Sequence, residues 1–222
     1  MTSVANQVTR VASIFGDVSS LRAENAHLLA ADEQLRRQVV ELNAAAKENA
    51  QLRQALAFEK SSGHKLLAAD VISSGPDALT RTMEIDRGTA DGIKPGMVVV
   101  TGAGLLGRVR EVGPHAANIQ TLADPRSRVD VYLSKTGLQG TVSGGPAVLQ
   151  LDLQHTPGVV ASSGDWVLTS GIGGTYPRGL VVGEIATVTH RDTAATDQAQ
   201  VAWVNDPNSV SFVLVITDFT PS

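Results

Sequence analysis

His115, Asp130 or Asp165, and Ser170 run along the chain in the order histidine, aspartate, serine. In such a set the serine hydroxyl attacks, the imidazole takes its proton and the carboxylate fixes the imidazole tautomer. The local sequence weighs against that chemistry. Ser170 stands in TSGIGG where a chymotrypsin-type nucleophile stands in GDSGG, and His115 follows Gly113-Pro114 in a turn. A triad is a matter of geometry, so chain order alone supports little. A second candidate is Gly102-x-Gly104-x-x-Gly107, a GxGxxG spacing that could cradle a pyrophosphate. A strand pattern follows it, where a dinucleotide site needs a helix N-terminus. The five histidines, His27, His64, His115, His155 and His190, are scattered without ligand spacing. There is no cysteine, which excludes disulfides and thiolate metal sites. No catalytic set, metal or cofactor is expected.

The elements that would position these residues change character along the chain. From Val4 to about Lys60 the sequence is rich in Ala, Leu, Gln, Glu and Arg, with Gly16 its one glycine and no proline. That is helix-forming material. After Ser61-Ser62-Gly63 short Gly-, Pro-, Val- and Thr-rich runs follow, broken every eight to twelve residues, which is a strand pattern. With 18 basic and 22 acidic residues the net charge is −4, against the basic surplus of a nucleic-acid binder. No apolar run reaches the length of a membrane span, and no signal-peptide pattern opens the chain.

The helical part fits a heptad. With Val18 at a and Leu21 at d, the d positions include Leu21, Leu28, Leu35, Leu42 and Leu56, and the a positions include Val18, Asn25 and Val39. Leucine at consecutive d positions makes one stripe that faces a partner helix, and Asn25 at a would fix register. Asp32 and Arg53 at a pack poorly, and e and g carry no orderly charge code. Some forty residues from Val18 would reach about 60 Å, longer than a small domain is wide. The expectation is a self-pairing coiled coil, with Val18, Leu21, Asn25, Leu28, Leu35, Val39, Leu42 and Leu56 forming a dimer seam.

The remainder alternates with period two, most clearly at Leu149, Leu151, Leu153 and at Val129, Val131, Leu133. Further strands are expected at 65–72, 81–86, 97–101, 106–112, 118–122, 164–169, 180–188, 198–204 and 212–217. Many short strands point to barrels, whose closure removes exposed edges. One segment occurs twice. Gly96-Met97-Val98-Val99-Val100-Thr101-Gly102 lines up with Gly164-Asp165-Trp166-Val167-Leu168-Thr169-Ser170, 68 residues on, and each is followed by a second strand, GRVREV or GEIATV. The repeat implies two small barrels on similar hairpins, with glycines serving turns and close strand contacts. The fold class is mainly β with an N-terminal α-helical coiled coil and two small six-stranded antiparallel β-barrels. The parts are 1–62 for the helix, 63–136 for a first barrel region and 137–222 for a second, with strand exchange possible near Gly137 to Gly145.

The residues LRAENAHL, IDRGTADGIKPGMVVVT, GLLGRV, EVGPHAANIQTLADPRSRV and GDWVLTSGIGGTYPRGLVVGEI together resemble the extracytoplasmic part of the MreC family of bacterial rod shape-determining proteins. The resemblance covers most of the chain in the family's order. It marks Gly96, Gly104, Leu105, Gly107, Asp124, Pro125, Thr169, Ser170, Gly171, Gly174, Pro177, Gly179 and Gly183 as structural turn positions. It implies a non-catalytic scaffold of cell elongation and lateral peptidoglycan synthesis on the periplasmic side of the inner membrane. A transmembrane anchor absent from this chain would precede Met1. Implied partners are a second copy of the chain or a higher self-assembly, a class B penicillin-binding protein, MreD, and the MreB cytoskeleton through the membrane complex. Barrel surfaces and strand edges would receive such partners. Two other functions remain. IKPGMVV also resembles the barrel motif of periplasmic membrane-fusion adaptors, though no returning helix accompanies the first, and two barrels also suit a chymotrypsin-like protease with Ser170 as nucleophile.

Overall fold

The computed structural model describes residues 2–74, 81–145, 148–189, 196–206 and 209–219. Two compact units divide the chain, Met1–Ala50 and Gln51–Ser222. A single helix, α1, covers Thr2–Ser62 and stops ahead of Gly63. The propensity of its Ala, Leu, Gln, Glu and Arg residues sustains it where no core does. Leu28, Leu35, Val39, Leu42 and Leu56 are each more than half exposed on it, as are Leu29 and Val40. Asp32 accepts a 2.7 Å bond from Arg36 one turn on, so its charge is answered within the helix. The side chains of Val18 and Leu21 lie outside the described residues.

Among the described residues twelve strands follow, and every registered pair is antiparallel. The first barrel holds β1 (Leu66–Ser74), β2 (Thr82–Ile85), β3 (Val98–Val100), β4 (Leu105–Val112), β5 (Ala117–Thr121) and β12 (Phe212–Ile216), closed in the order β1, β12, β3, β4, β5, β2. The second holds β6 (Arg128–Leu133), β7 (Gln139–Ser143), β8 (Leu149–Gln154), β9 (Trp166–Thr169), β10 (Val181–Thr189) and β11 (Thr196–Trp203), closed in the order β10, β11, β8, β7, β6, β9.

Read from β12 and from β6, the two circuits are the same: β12, β3, β4, β5, β2, β1 and β6, β9, β10, β11, β8, β7. The repeated segments are the hairpins β3–β4 and β9–β10. The first strand of each circuit, β12 or β6, is exchanged. The strand after β5 closes the second barrel, and the strand after β11 returns to close the first. Between Gly137 and Gly145 lies β7, a strand the periodicity reading passed over. Because both sheets close, no described strand keeps a free edge, and strand addition is not open to a partner here.

Burial explains the apolar runs. β8 and β6 alternate buried with exposed or partly exposed residues, as half-buried strands do. In β3 and β12 no such alternation appears. Val99, Val213 and Val215 fill the first barrel, while Val98, Val100, Leu214 and Ile216 join a second cluster that includes Val131, Leu151, Val167 and Val201 of the other barrel. Strands packed on both faces read as continuous hydrophobic runs.

Candidate functional site

The junction of the barrels is built on the β3–β4 hairpin. Gly104 has φ 155° and faces the Val181 carbonyl so closely that a Cβ would lie 2.2 Å from that oxygen. Only glycine allows β10 this approach. The Leu105 carbonyl, made accessible by the same turn, accepts bonds from Trp203 Nε1 at 2.9 Å and Asn205 Nδ2 at 3.0 Å. Asn205 Oδ1 in turn accepts from Thr101 Oγ1 at 2.6 Å. Asn205 is 7% exposed, and this network satisfies its amide away from water. At Gly107 a Cβ would fall 2.1 Å from the Gln120 carbonyl on β5, and Gly183 meets the Ala202 carbonyl on β11 in the equivalent hairpin.

A second cluster crowns the β9–β10 connection. The Thr169 hydroxyl donates to the Pro177 carbonyl and accepts from the Leu180 amide, while the Gly179 amide donates to the Thr169 carbonyl at 2.8 Å. Ser170 donates through both its amide and its hydroxyl to the Asp130 carbonyl, at 2.9 and 3.1 Å, and its oxygen accepts from the Ile172 amide. Gly171 and Gly174 complete the turn through a 3.4 Å backbone bond. Arg178 lies over the Tyr132 ring at 4.6 Å, a cation–π contact. Tyr176 is buried and bonded to Ser127, and burial pushes its phenol above the ordinary range.

Between the barrels, Asp124 is fully buried and bonds the Arg126 amide at 2.8 Å as well as its guanidinium at 2.9 Å. That guanidinium holds the carboxyl below the usual carboxylate range, against the opposing effect of burial. The Pro125 carbonyl accepts from Arg128. Gly96 opens β3, its amide donating to the Val109 carbonyl at 2.8 Å.

The residues that suggested nucleophilic catalysis have structural partners. Ser170 serves the turn just described, Asp130 accepts from the Thr141 hydroxyl, and buried Asp165 pairs with Lys135 at 2.7 Å. Lys135 lowers the Asp165 pKa more than burial raises it. His115 is exposed in the turn from β4 to β5, on the other barrel. Among the described residues no hydrogen bond links the His115 imidazole to the Ser170 hydroxyl or to the Asp130 or Asp165 carboxylate, no cluster of three or more metal-ligating side chains occurs, and no helix is long and apolar enough to cross a membrane. Thr101, Trp203, Asn205, Tyr176 and Arg178 were not singled out by sequence. The aromatic and Asn in AWVND, ending a strand, were the one available signal.

Comparison with known proteins agrees with this geometry. Residues 71–217 match the family model described as rod shape-determining protein MreC, barrel core. The chain belongs to the MreC family. The cell shape-determining protein MreC of Listeria monocytogenes is 33% identical over 178 residues, covering 78% of this chain and 60% of that relative. A solved MreC from Listeria monocytogenes is 30% identical with TM-score 0.65, covering 90% of this chain and 98% of that one. The Helicobacter pylori MreC solved in a complex with penicillin-binding protein PBP2 shares 17% identity and TM-score 0.54 over 69% of this chain and 99% of that one, a likeness of fold. The chain thus spans about 60% of the length of the Listeria relative within the MreC family.

Proposed function

We propose that this chain is a non-catalytic scaffold of the bacterial cell-elongation machinery, acting in lateral peptidoglycan synthesis on the periplasmic side of the inner membrane. It self-associates through α1 along Val18, Leu21, Asn25, Leu28, Leu35, Val39, Leu42 and Leu56, and presents the paired barrels to a class B penicillin-binding protein. MreD and, across the membrane, the MreB cytoskeleton complete the assembly. The observation that carries this reading is the leucine stripe left in water on a 61-residue helix. A helix with exposed apolar residues at heptad spacing gains most by pairing. The partner class is supported by the Helicobacter pylori fold neighbour, solved in a complex with PBP2. With both sheets closed, exposed side chains of the second barrel such as Trp166 and Ile172 are the contact groups offered.

Sedimentation equilibrium of the intact chain beside a chain beginning at Lys60 tests self-association. A dimer or larger species for the first and a monomer for the second is expected, and monomers for both would remove the helix from the account. Pull-down of a class B penicillin-binding protein by the chain, with Trp166→Ala and Ile172→Ala as variants, tests the second half. Undiminished capture by both variants would move the contact elsewhere.

A further inference from the structure

Arg108, Arg110 and Arg126 line one open cleft of about 430 Å³, together with Gly96, Val109 and Gln120. They arrive from three places: Arg108 from β4 opposite Gln120, Arg110 from the irregular register between Val109 and Glu111, and Arg126 from the turn between the barrels. Their charges are unevenly answered. Arg126 gives Nε and Nη2 to Asp124, and Arg110 has Glu111 at 3.8 Å. Arg108, only partly exposed, gives Nε and Nη2 to the neutral amide oxygen of Gln120, both at 3.4 Å. Among the described residues no carboxylate lies within ion-pair distance of it. In a chain of net charge −4, a half-buried cation without a countercharge, lining a cleft beside two further guanidinium groups, offers a place for an anion.

We propose that this cleft binds a phosphate ester. Arg108 and Arg126 each leave Nη1 outside the bonds just described, so the donors come singly and from separate elements. A planar carboxylate suits one guanidinium fork, whereas the tetrahedral oxygens of a phosphate suit donors set around it. The cleft is larger than one phosphate and falls in the size range of small-ligand sites, leaving room for the esterified group. Because Arg108 belongs to the first barrel and Arg126 to the turn leading to the second, the ligand would bridge the junction.

Calorimetric titration of the full chain with inorganic pyrophosphate, and cosedimentation with phosphatidylglycerol vesicles, test this and separate a free phosphate compound from a lipid headgroup. Pyrophosphate binding that weakens with salt, and weakens at least about tenfold in Arg108→Gln and in exposed Arg110→Gln, is expected. Arg87→Gln, away from the cleft, should bind as the parent does. Amide shifts at Arg108, Gln120 and Arg126 on titration place the ligand independently of any variant. Vesicle binding lost in Arg108→Gln would assign the phosphate to a lipid, and pyrophosphate binding without vesicle binding would assign it to a soluble ester. No pyrophosphate binding up to about 10 mM, unchanged affinity in both cleft variants, or equal affinity for citrate would overturn the proposal.

Discussion

Asp124 holds the turn between the barrels from inside the protein, bonding both the backbone and the side chain of Arg126. Its folded pKa is depressed chiefly by Arg126. A depressed carboxylate contributes stability that is present above the unfolded value of about 3.9 and is lost as pH falls through the folded value. Asp124→Asn should therefore cost about 2 kcal/mol near pH 7. The gap from the parent should close on acidification below about pH 4. Urea midpoints at both pH values check this, and an equal gap at each would show that the charge contributes nothing. Gly104 is constrained by shape, since a Cβ there meets the Val181 carbonyl at 2.2 Å. Gly104→Ala should lower stability by about 3 kcal/mol. It should also free Trp203 from Leu105, seen as a red shift of indole emission. Full stability in that variant would mean that the hairpin moves aside without cost.

At the scale of elements, β12, like β3, has two faces that serve two cores, with Val213 in one cluster and Leu214 in the other. Leu214→Ala should destabilise as much as Val213→Ala, each by about 2 to 4 kcal/mol, although Leu214 points out of its own barrel. Chemical denaturation of the two variants measures it; a neutral Leu214→Ala would show that the outer face is not packed. The continuous run FVLVI made this strand legible without showing why both faces are apolar. Period-two alternation revealed β6 and β8 plainly. β7 escaped because its residues, QGTVS, place one strongly apolar side chain, Val142, in a polar and Gly-containing run. The heptad showed α1 because helical periodicity is local. The junction could not be read in the same way, since Thr101, just after β3, and Asn205, just after β11, meet from 104 residues apart, a contact that no local periodicity signals.

Across the whole molecule, strand exchange ties the barrels more firmly than their contact surface alone. The chain leaves the first barrel at β5, builds the second from β6 to β11, and comes back with β12 between β1 and β3. A chain ending after Asp206 lacks β12 and leaves β1 and β3 without their shared neighbour. It also uncovers Val98 and Val100 on one face and Val99 on the other. The second barrel keeps all six of its strands. Amide exchange should then be fast throughout β1–β5, near the rates of an opened segment, while β6–β11 stay protected. In the intact chain both sets should exchange together, because opening the first barrel pulls β12 out of the core it shares with the second. Retained protection in β1–β5 of the shortened chain would mean that β6 has switched barrels to fill the gap. In that case protection of β7 and β9, the neighbours of β6, should be lost instead.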